Sequence, residues 1–163
     1  MKHLWITIGI PGCGKTTWVK NQINKIGGLH ISRDAIRFEL LNDNDEYFDK
    51  ENEVFEHFIL MIKLAIKDSA HENIFIDATH LNENSRNKLL SRLNLTDVDA
   101  ITWVNFQVPL EIALARNEKR TGRALVPRSI IRRMNEQKDI RFIKFDAKTN
   151  IITINENGKE VIG

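Results

Sequence analysis

The sequence predicts an α/β fold of three layers, a central parallel β-sheet flanked by helices on both faces. Three observations carry that prediction. Short apolar runs alternate with longer stretches of helical periodicity, the pattern of strands joined by helical crossovers. The first apolar run stops at a glycine-rich segment, and a later one stops at an aspartate. Polar chemistry therefore gathers where strands end, which is where ligands bind in open α/β sheets.

The elements follow in order. Residues 4–8 are β-formers ending at Gly9 and read as a buried strand. Residues 16–26 read as a helix stopped by Gly27 and Gly28. Residues 29–31 form a short second strand, followed by a helix over 34–41. Residues 49–70 form a long amphipathic helix, with Val54, Phe58, Met61, Ile62 and Ala65 on its apolar stripe. A third strand, 73–77, ends in Asp77, and a helix covers 83–93. Residues 100–108 read as a strand, and Pro109 opens a helix running to about residue 120. Pro127 opens the helix that carries 130–137, and residues 140–145 read as a further strand. Residues 151–154 and 160–162, around Asn157-Gly158, read as a terminal hairpin.

The chain has 163 residues, which suits one domain with its own core. Its hydrophobic share of 42% and charged share of 28% are those of ordinary folded chains. No apolar run is long enough to cross a bilayer, and the N-terminal segment is too short for a signal peptide, so no membrane partner is expected. The single cysteine, Cys13, excludes an internal disulfide and suits a reducing compartment; the expected location is the cytoplasm. Nothing in the sequence sets an oligomeric state. Charge is unevenly distributed. Residues 43–56 hold seven acids and one lysine, whereas residues 116–141 hold nine basic residues and three acids. The basic block suits an anionic ligand, and the acidic block is a poor surface for nucleic acid.

Residues 9–16, Gly-Ile-Pro-Gly-Cys-Gly-Lys-Thr, match G-x-x-x-x-G-K-[ST] at every required position. Gly12, Cys13 and Gly14 belong to the turning backbone whose N–H groups cradle phosphates, with the following helix adding its positive end. Lys15 reaches the β- and γ-phosphates, Thr16 is placed to ligate Mg²⁺, and Thr17 follows in the first helical turn. The reading is therefore a three-layer P-loop NTPase/kinase fold using ATP and Mg²⁺, with a helical lid over 116–128. Cys13 fills a variable loop position.

A small kinase needs an acceptor base, a second acid and a basic lid. Asp34 is the base candidate, with Arg37 one helical turn away to meet the same substrate. Asp77 is the second acid, orienting the metal, and Thr79 offers a hydroxyl. Arg116 and Arg120, at i and i+4 on one helical face, are the lid cations. The guanine-reading N-K-x-D motif of GTPases is absent.

These segments together resemble the kinase domain of the phage 5′-polynucleotide kinase family. The residues that carry the likeness are the P-loop with Thr17-Trp18, Arg33-Asp34-x-x-Arg37, Thr79-x-Leu81-Asn82, Arg116-Asn117-x-x-Arg120 and Ala124-x-Val126-Pro127. The resemblance covers most of residues 1 to about 138. It implies transfer of the ATP γ-phosphate to the 5′-hydroxyl end of DNA or RNA, in nucleic-acid end repair. By matching position Asp34 is the base, Arg37 binds the acceptor's phosphate and the transferring group, and Arg116 and Arg120 clamp the donor. Val126 forms part of the wall at the terminal nucleotide. Ala78 stands where that family has an aspartate, and Asp77 precedes it. No Asp-x-Asp-x-Thr motif occurs, so no 3′-phosphatase activity is expected. The alternatives are a P-loop kinase of a small molecule (nucleoside, sugar or sugar nucleotide) and a non-catalytic NTP-binding regulatory module.

Overall fold

In the computed structural model, which describes residues 1–162, β1 (His3–Ile8) runs through the glycine loop into α1 (Lys15–Ile26). Then come β2 (Leu29–Ser32), α2 (Arg33–Leu40), α3 (Glu51–Lys67), β3 (Asn73–Asp77) and α4 (Glu83–Leu90). The second half holds β4 (Ala100–Phe106), α5 (Leu110–Glu118), a short 3-10 turn (Gly122–Ala124), α6 (Arg128–Gln137) and β5 (Thr149–Ile154). The five strands pair in the order β2-β3-β1-β4-β5, all parallel. The glycine loop therefore leaves the central strand, and the ends of β3 and β2 lie beside it in that order.

Alternation along the strands divides the core between the two faces. Leu4, Ile6, Ile74, Ile76, Ile101 and Trp103 pack against the stripe of α3 formed by Val54, Phe55, Phe58, Ile59, Ile62, Ala65 and Ile66. Phe75, Val104 and Phe106 pack on the other face against Trp18 and Val19 of α1, Ala113 and Leu114 of α5, and Ile131 of α6. Met61, expected on the α3 stripe, is 43% exposed; Phe55, Ile59 and Ile66 take the buried positions instead. Both prolines stand one position before their helices, as N-caps of α5 and α6. Among the described residues no helix is long and apolar enough to cross a membrane.

Two expected elements differ. Residues 140–145 form turns rather than a strand, with Phe142 and Phe145 mostly exposed. The edge of β4 that they would need is taken by β5, in register from Ile101 opposite Thr149 to Phe106 opposite Ile154. The terminal hairpin shrinks to a turn over 155–159 with one antiparallel bridge, Ile154 to Glu160. Its first arm joins the parallel sheet as β5.

Beyond β3 the chain reaches His80, fully enclosed against Phe58 and Trp103, with Nδ1 donating to the Thr7 carbonyl at 2.8 Å. Burial pushes its imidazole down to about 4 from the ordinary 6.5. Between those values the unfolded chain binds a proton that the folded chain refuses. The stability contributed is complete above 6.5 and is lost as pH falls toward 4. The loss expected is on the order of 3 kcal/mol, read as a falling urea midpoint across this window. His80→Leu should flatten that fall, and an equally steep slope in the variant would assign the effect to other groups.

Candidate active site

The glycine loop turns sharply because two of its residues occupy the left-handed region, Gly12 at φ 84° and Gly14 at φ 93°. Gly12 also runs so close to α5 that a Cβ would collide with the Ala113 carbonyl. A side chain there is excluded by both strain and space. Gly14 caps α1 without a side-chain bond, leaving the first helical N–H groups directed at the loop's mouth. Cys13 is buried and fills space beneath the loop. The Lys15 ammonium donates to the carbonyls of Gly9 at 2.9 Å and Ile10 at 3.0 Å.

Asp77 ends β3, the strand beside β1, and is 5% exposed. Its Oδ2 accepts from the Thr16 hydroxyl at 2.8 Å and from His30 Nε2 at 2.9 Å. Burial alone would raise the Asp77 carboxyl. The His30 hydrogen bond, the Lys15 charge and the Thr16 hydroxyl outweigh it and hold the group below the ordinary carboxylate range. An anionic oxygen thus sits against the hydroxyl that follows the loop lysine. The constricted glycine loop, the lysine held by neutral carbonyls and the Cys13 sulfur rather than by a carboxylate, and the Thr16–Asp77 pair fit a nucleotide triphosphate with a hard divalent cation.

Asp34 lies across the strand ends, in the first turn of α2. Ser32 rather than Asp34 caps that helix, accepting from Ala35 N at 3.1 Å. The Asp34 carboxylate is left half exposed, and its Oδ1 pairs with Arg37 and accepts from the Tyr47 hydroxyl at 2.6 Å. Arg37 is buried, and its Nε donates to Glu51 at 2.9 Å while Nη1 donates to the Tyr47 oxygen at 2.9 Å. Its Nη2 reaches Glu51 at 2.7 Å, and the guanidinium lies 4.3 Å over the Tyr47 ring. With β1, β3 and β2 adjacent, the cradle and Asp34 stand two strand spacings apart, about 10 Å. A gap of that width has room for a phosphoryl group and a hydroxyl.

One cleft of about 270 Å³ joins these groups. Gly12, Gly14, Lys15, Thr16 and Thr17 line one side; Asp34, Arg37, Tyr47, Phe48 and Glu51 line the other. Asp77 and Thr79 lie between them, Arg120 enters from the lid, and Met134 enters from α6. A second cavity of about 460 Å³ continues beyond Gly14 and Thr17, with Cys13, Asn21, Arg116 and the 155–159 turn in its walls. The two lid arginines therefore do not share one helical face. Helix α5 stops at Glu118, so Arg120 stands beyond its end in the first cleft, while Arg116 faces the second cavity and donates to the Glu156 carbonyl.

Val126 is not brought to either cavity. It is buried among Ala113, Leu114 and Ile131 on the α5 and α6 side. Its main chain is clasped by the buried Asn117, which donates to its carbonyl at 2.6 Å and accepts from its N–H at 3.0 Å. Asn117→Ala should cost about 3 kcal/mol by leaving two buried main-chain groups unpaired. Chemical denaturation checks this, and a cost near zero would show that the clasp is dispensable.

The sequence did not disclose the part taken by His30, Tyr47 and Glu51, nor that the turn around Asn157-Gly158 walls a cavity. Tyr47 is the chain's only tyrosine, but no periodicity links it to Asp34. Only its residue type, set in an acidic segment, could have drawn notice.

An AAA domain family profile matches residues 4–139, a span that takes in every residue of the first cleft. The chain is a member of the AAA domain family. No curated protein sequence matches it. Among solved structures this AAA-domain chain is similar to a sugar kinase from Janibacter sp. HTCC2649, with 16% identity and a TM-score of 0.62 over 96% of this chain and 86% of that one. It is similar to a chain of the Pnkp1/Rnl/Hen1 RNA repair complex, with 25% identity, a TM-score of 0.70 and 83% of this chain covered. It spans only 43% of that longer chain. A fungal RNA kinase matches at 16% identity and a TM-score of 0.63, over 94% of this chain and 73% of the other. The AAA-domain chain thus has the P-loop kinase fold.

Proposed function

We propose that this chain is an ATP- and Mg²⁺-dependent kinase that phosphorylates a hydroxyl held at Asp34, and that the acceptor is a small uncharged molecule such as a nucleoside or sugar. The observation that carries the acceptor class is the state of Arg37. Its guanidinium is neutralised by Asp34 and Glu51 and stacked on Tyr47. The acceptor wall therefore offers no free cation at that point for an acceptor's own phosphate. The modest cleft and the flanking acidic segment support the same reading, as does the likeness to a sugar kinase over most of both chains.

Lys15 and the loop N–H groups would hold the donor phosphates, and Thr16 and Asp77 would hold the metal, which would supply positive charge to offset that of the phosphates. The acceptor oxygen forms a bond to the γ-phosphorus as the bond to the β,γ-bridging oxygen breaks, and ADP leaves. The acceptor's proton passes to Asp34. Arg120 reaches in from the lid to meet developing charge.

The second reading is transfer to the 5′-hydroxyl of DNA or RNA. It is supported by the ordered set of matching segments and by the likeness to the RNA repair complex at 25% identity. One experiment separates the two. Mg²⁺ and γ-labelled ATP are offered with a panel of nucleosides and sugars, a 5′-hydroxyl oligonucleotide, and the same strand already 5′-phosphorylated. Label on a small acceptor alone supports the leading reading. Label on the hydroxyl strand alone replaces it with the second. No label on any, with ATP bound, favours a nucleotide-binding regulatory module.

A further inference from the structure

The Asp34 oxygen that faces Tyr47 is already satisfied. Oδ1 accepts the Tyr47 hydroxyl at 2.6 Å and pairs with Arg37. Tyr47 belongs to the segment between α2 and α3, outside any helix or strand. Its ring is stacked on the Arg37 guanidinium at 4.3 Å and meets the rings of Phe48 at 4.6 Å and Phe38 at 6.3 Å edge to face. Its hydroxyl is held by Asp34 and Arg37 alone. The segment is tied at its base by Lys50, which donates to the Leu40 carbonyl at 2.8 Å. At its start Arg123 of the lid bonds to the Asn42 carbonyl. The segment thus spans from the lid to the base candidate.

Burial, and then the neighbouring Asp34 charge, push the Tyr47 phenol well above its ordinary range. It is a neutral O–H donor set against a carboxylate, the same chemical species as an acceptor hydroxyl awaiting deprotonation. We propose that Tyr47 is an acceptor-side gate, a place-holder hydroxyl that occupies the Oδ1 of Asp34 until the acceptor's hydroxyl displaces it, and that meanwhile keeps water from using that oxygen as the base. This rests on the reading of Asp34 as the base. With the gate removed, a water oxygen can bond to the γ-phosphorus while the bond to the β,γ-bridging oxygen breaks. ADP and inorganic phosphate leave, and the water's proton passes to Asp34.

Tyr47→Phe keeps the ring and its stacking and deletes only the hydroxyl. Hydrolysis of Mg²⁺-ATP without any acceptor should rise about tenfold, the equivalent of one charge-assisted hydrogen bond. Adding Asp34→Asn to Tyr47→Phe should return hydrolysis to the wild-type level or below. A Tyr47→Phe rate equal to wild type overturns the gate and leaves the reading of Asp34 intact. Persistence of the gain in the double variant instead removes Asp34 as the base and the gate with it.

A second measurement needs no turnover. Tyr47 is the only tyrosine, so ultraviolet absorption reads its ionisation alone against the facing charges of Asp34, Arg37 and Glu51. Asp34→Asn should bring the midpoint down toward the ordinary tyrosine value. An unmoved midpoint overturns the contact on which the gate depends.

Discussion

Asp34→Asn is expected to lower kcat by about a thousandfold while leaving the affinity for ATP within about twofold. The substitution preserves shape. The Arg37–Asp34 ion pair is lost, but the amide oxygen can still accept from Tyr47 and Arg37, Glu51 still pairs with Arg37, and Ser32 still caps α2, so the fold and the cradle are expected to stay in place. What disappears is a group able to take the acceptor's proton as its oxygen bonds to phosphorus. An interaction used only in the transition state lowers kcat and kcat/KM together. Steady-state rates with the acceptor found in the panel, together with calorimetric ATP binding, measure both sides. A variant turning over at the normal rate would remove Asp34 from the chemistry.

Lys15→Ala should damage binding and rate together. Its ammonium is held at the loop's mouth by the Gly9 and Ile10 carbonyls and contributes to the lowering of the Asp77 carboxyl. Removing it deprives the donor phosphates of a charge in both the bound and the transition state. The expected result is at least about tenfold weaker ATP binding and a further loss of about a hundredfold in kcat. Unchanged affinity would mean that the loop N–H groups alone hold the nucleotide. The contrast between the two variants is itself informative. Asp34 is expected to act on the reaction alone and Lys15 on binding as well, in keeping with their places on opposite sides of one cleft.

Local chemistry explains which features the sequence disclosed. The G-x-x-x-x-G-K-T segment is contiguous, and its glycines answer to backbone angles that only the loop itself sets, so both loop and strand-loop-helix context were readable. Strands 3–8 and 73–77 and the crossover helices were equally plain, because each is a run of one period. Choice of partner was less accessible. Residues 140–145 and 149–154 both have the look of strands, and only competition for the single free edge of β4 decides that β5 takes it. Met61 shares the spacing of the α3 stripe but falls on its exposed margin, since helix rotation is fixed by the sheet beneath.

In the site, Asp34 and Asp77 stood out because each lies at or just beyond a strand end, and Lys15 because it closes the contiguous glycine motif. Tyr47 and Glu51 meet Asp34 and Arg37 only after the 41–50 segment folds back over α2. His30 meets Asp77 across paired strands. Contacts of that kind have no sequence spacing to announce them. Val126 shows the reverse error: its neighbours in sequence belong to the lid, yet Asn117 draws it into the core.

The proposed activity requires the phosphate cradle and Asp34 to serve a single reaction. The most direct test is a crystal structure with Mg²⁺ and a non-hydrolysable ATP analogue. The expected result is the γ-phosphate against Lys15, the metal on Thr16 beside Asp77, and the Asp34 carboxylate facing the γ-phosphorus across the cleft. A γ-phosphate directed into the second cavity, with Asp34 turned to solvent, would contradict it.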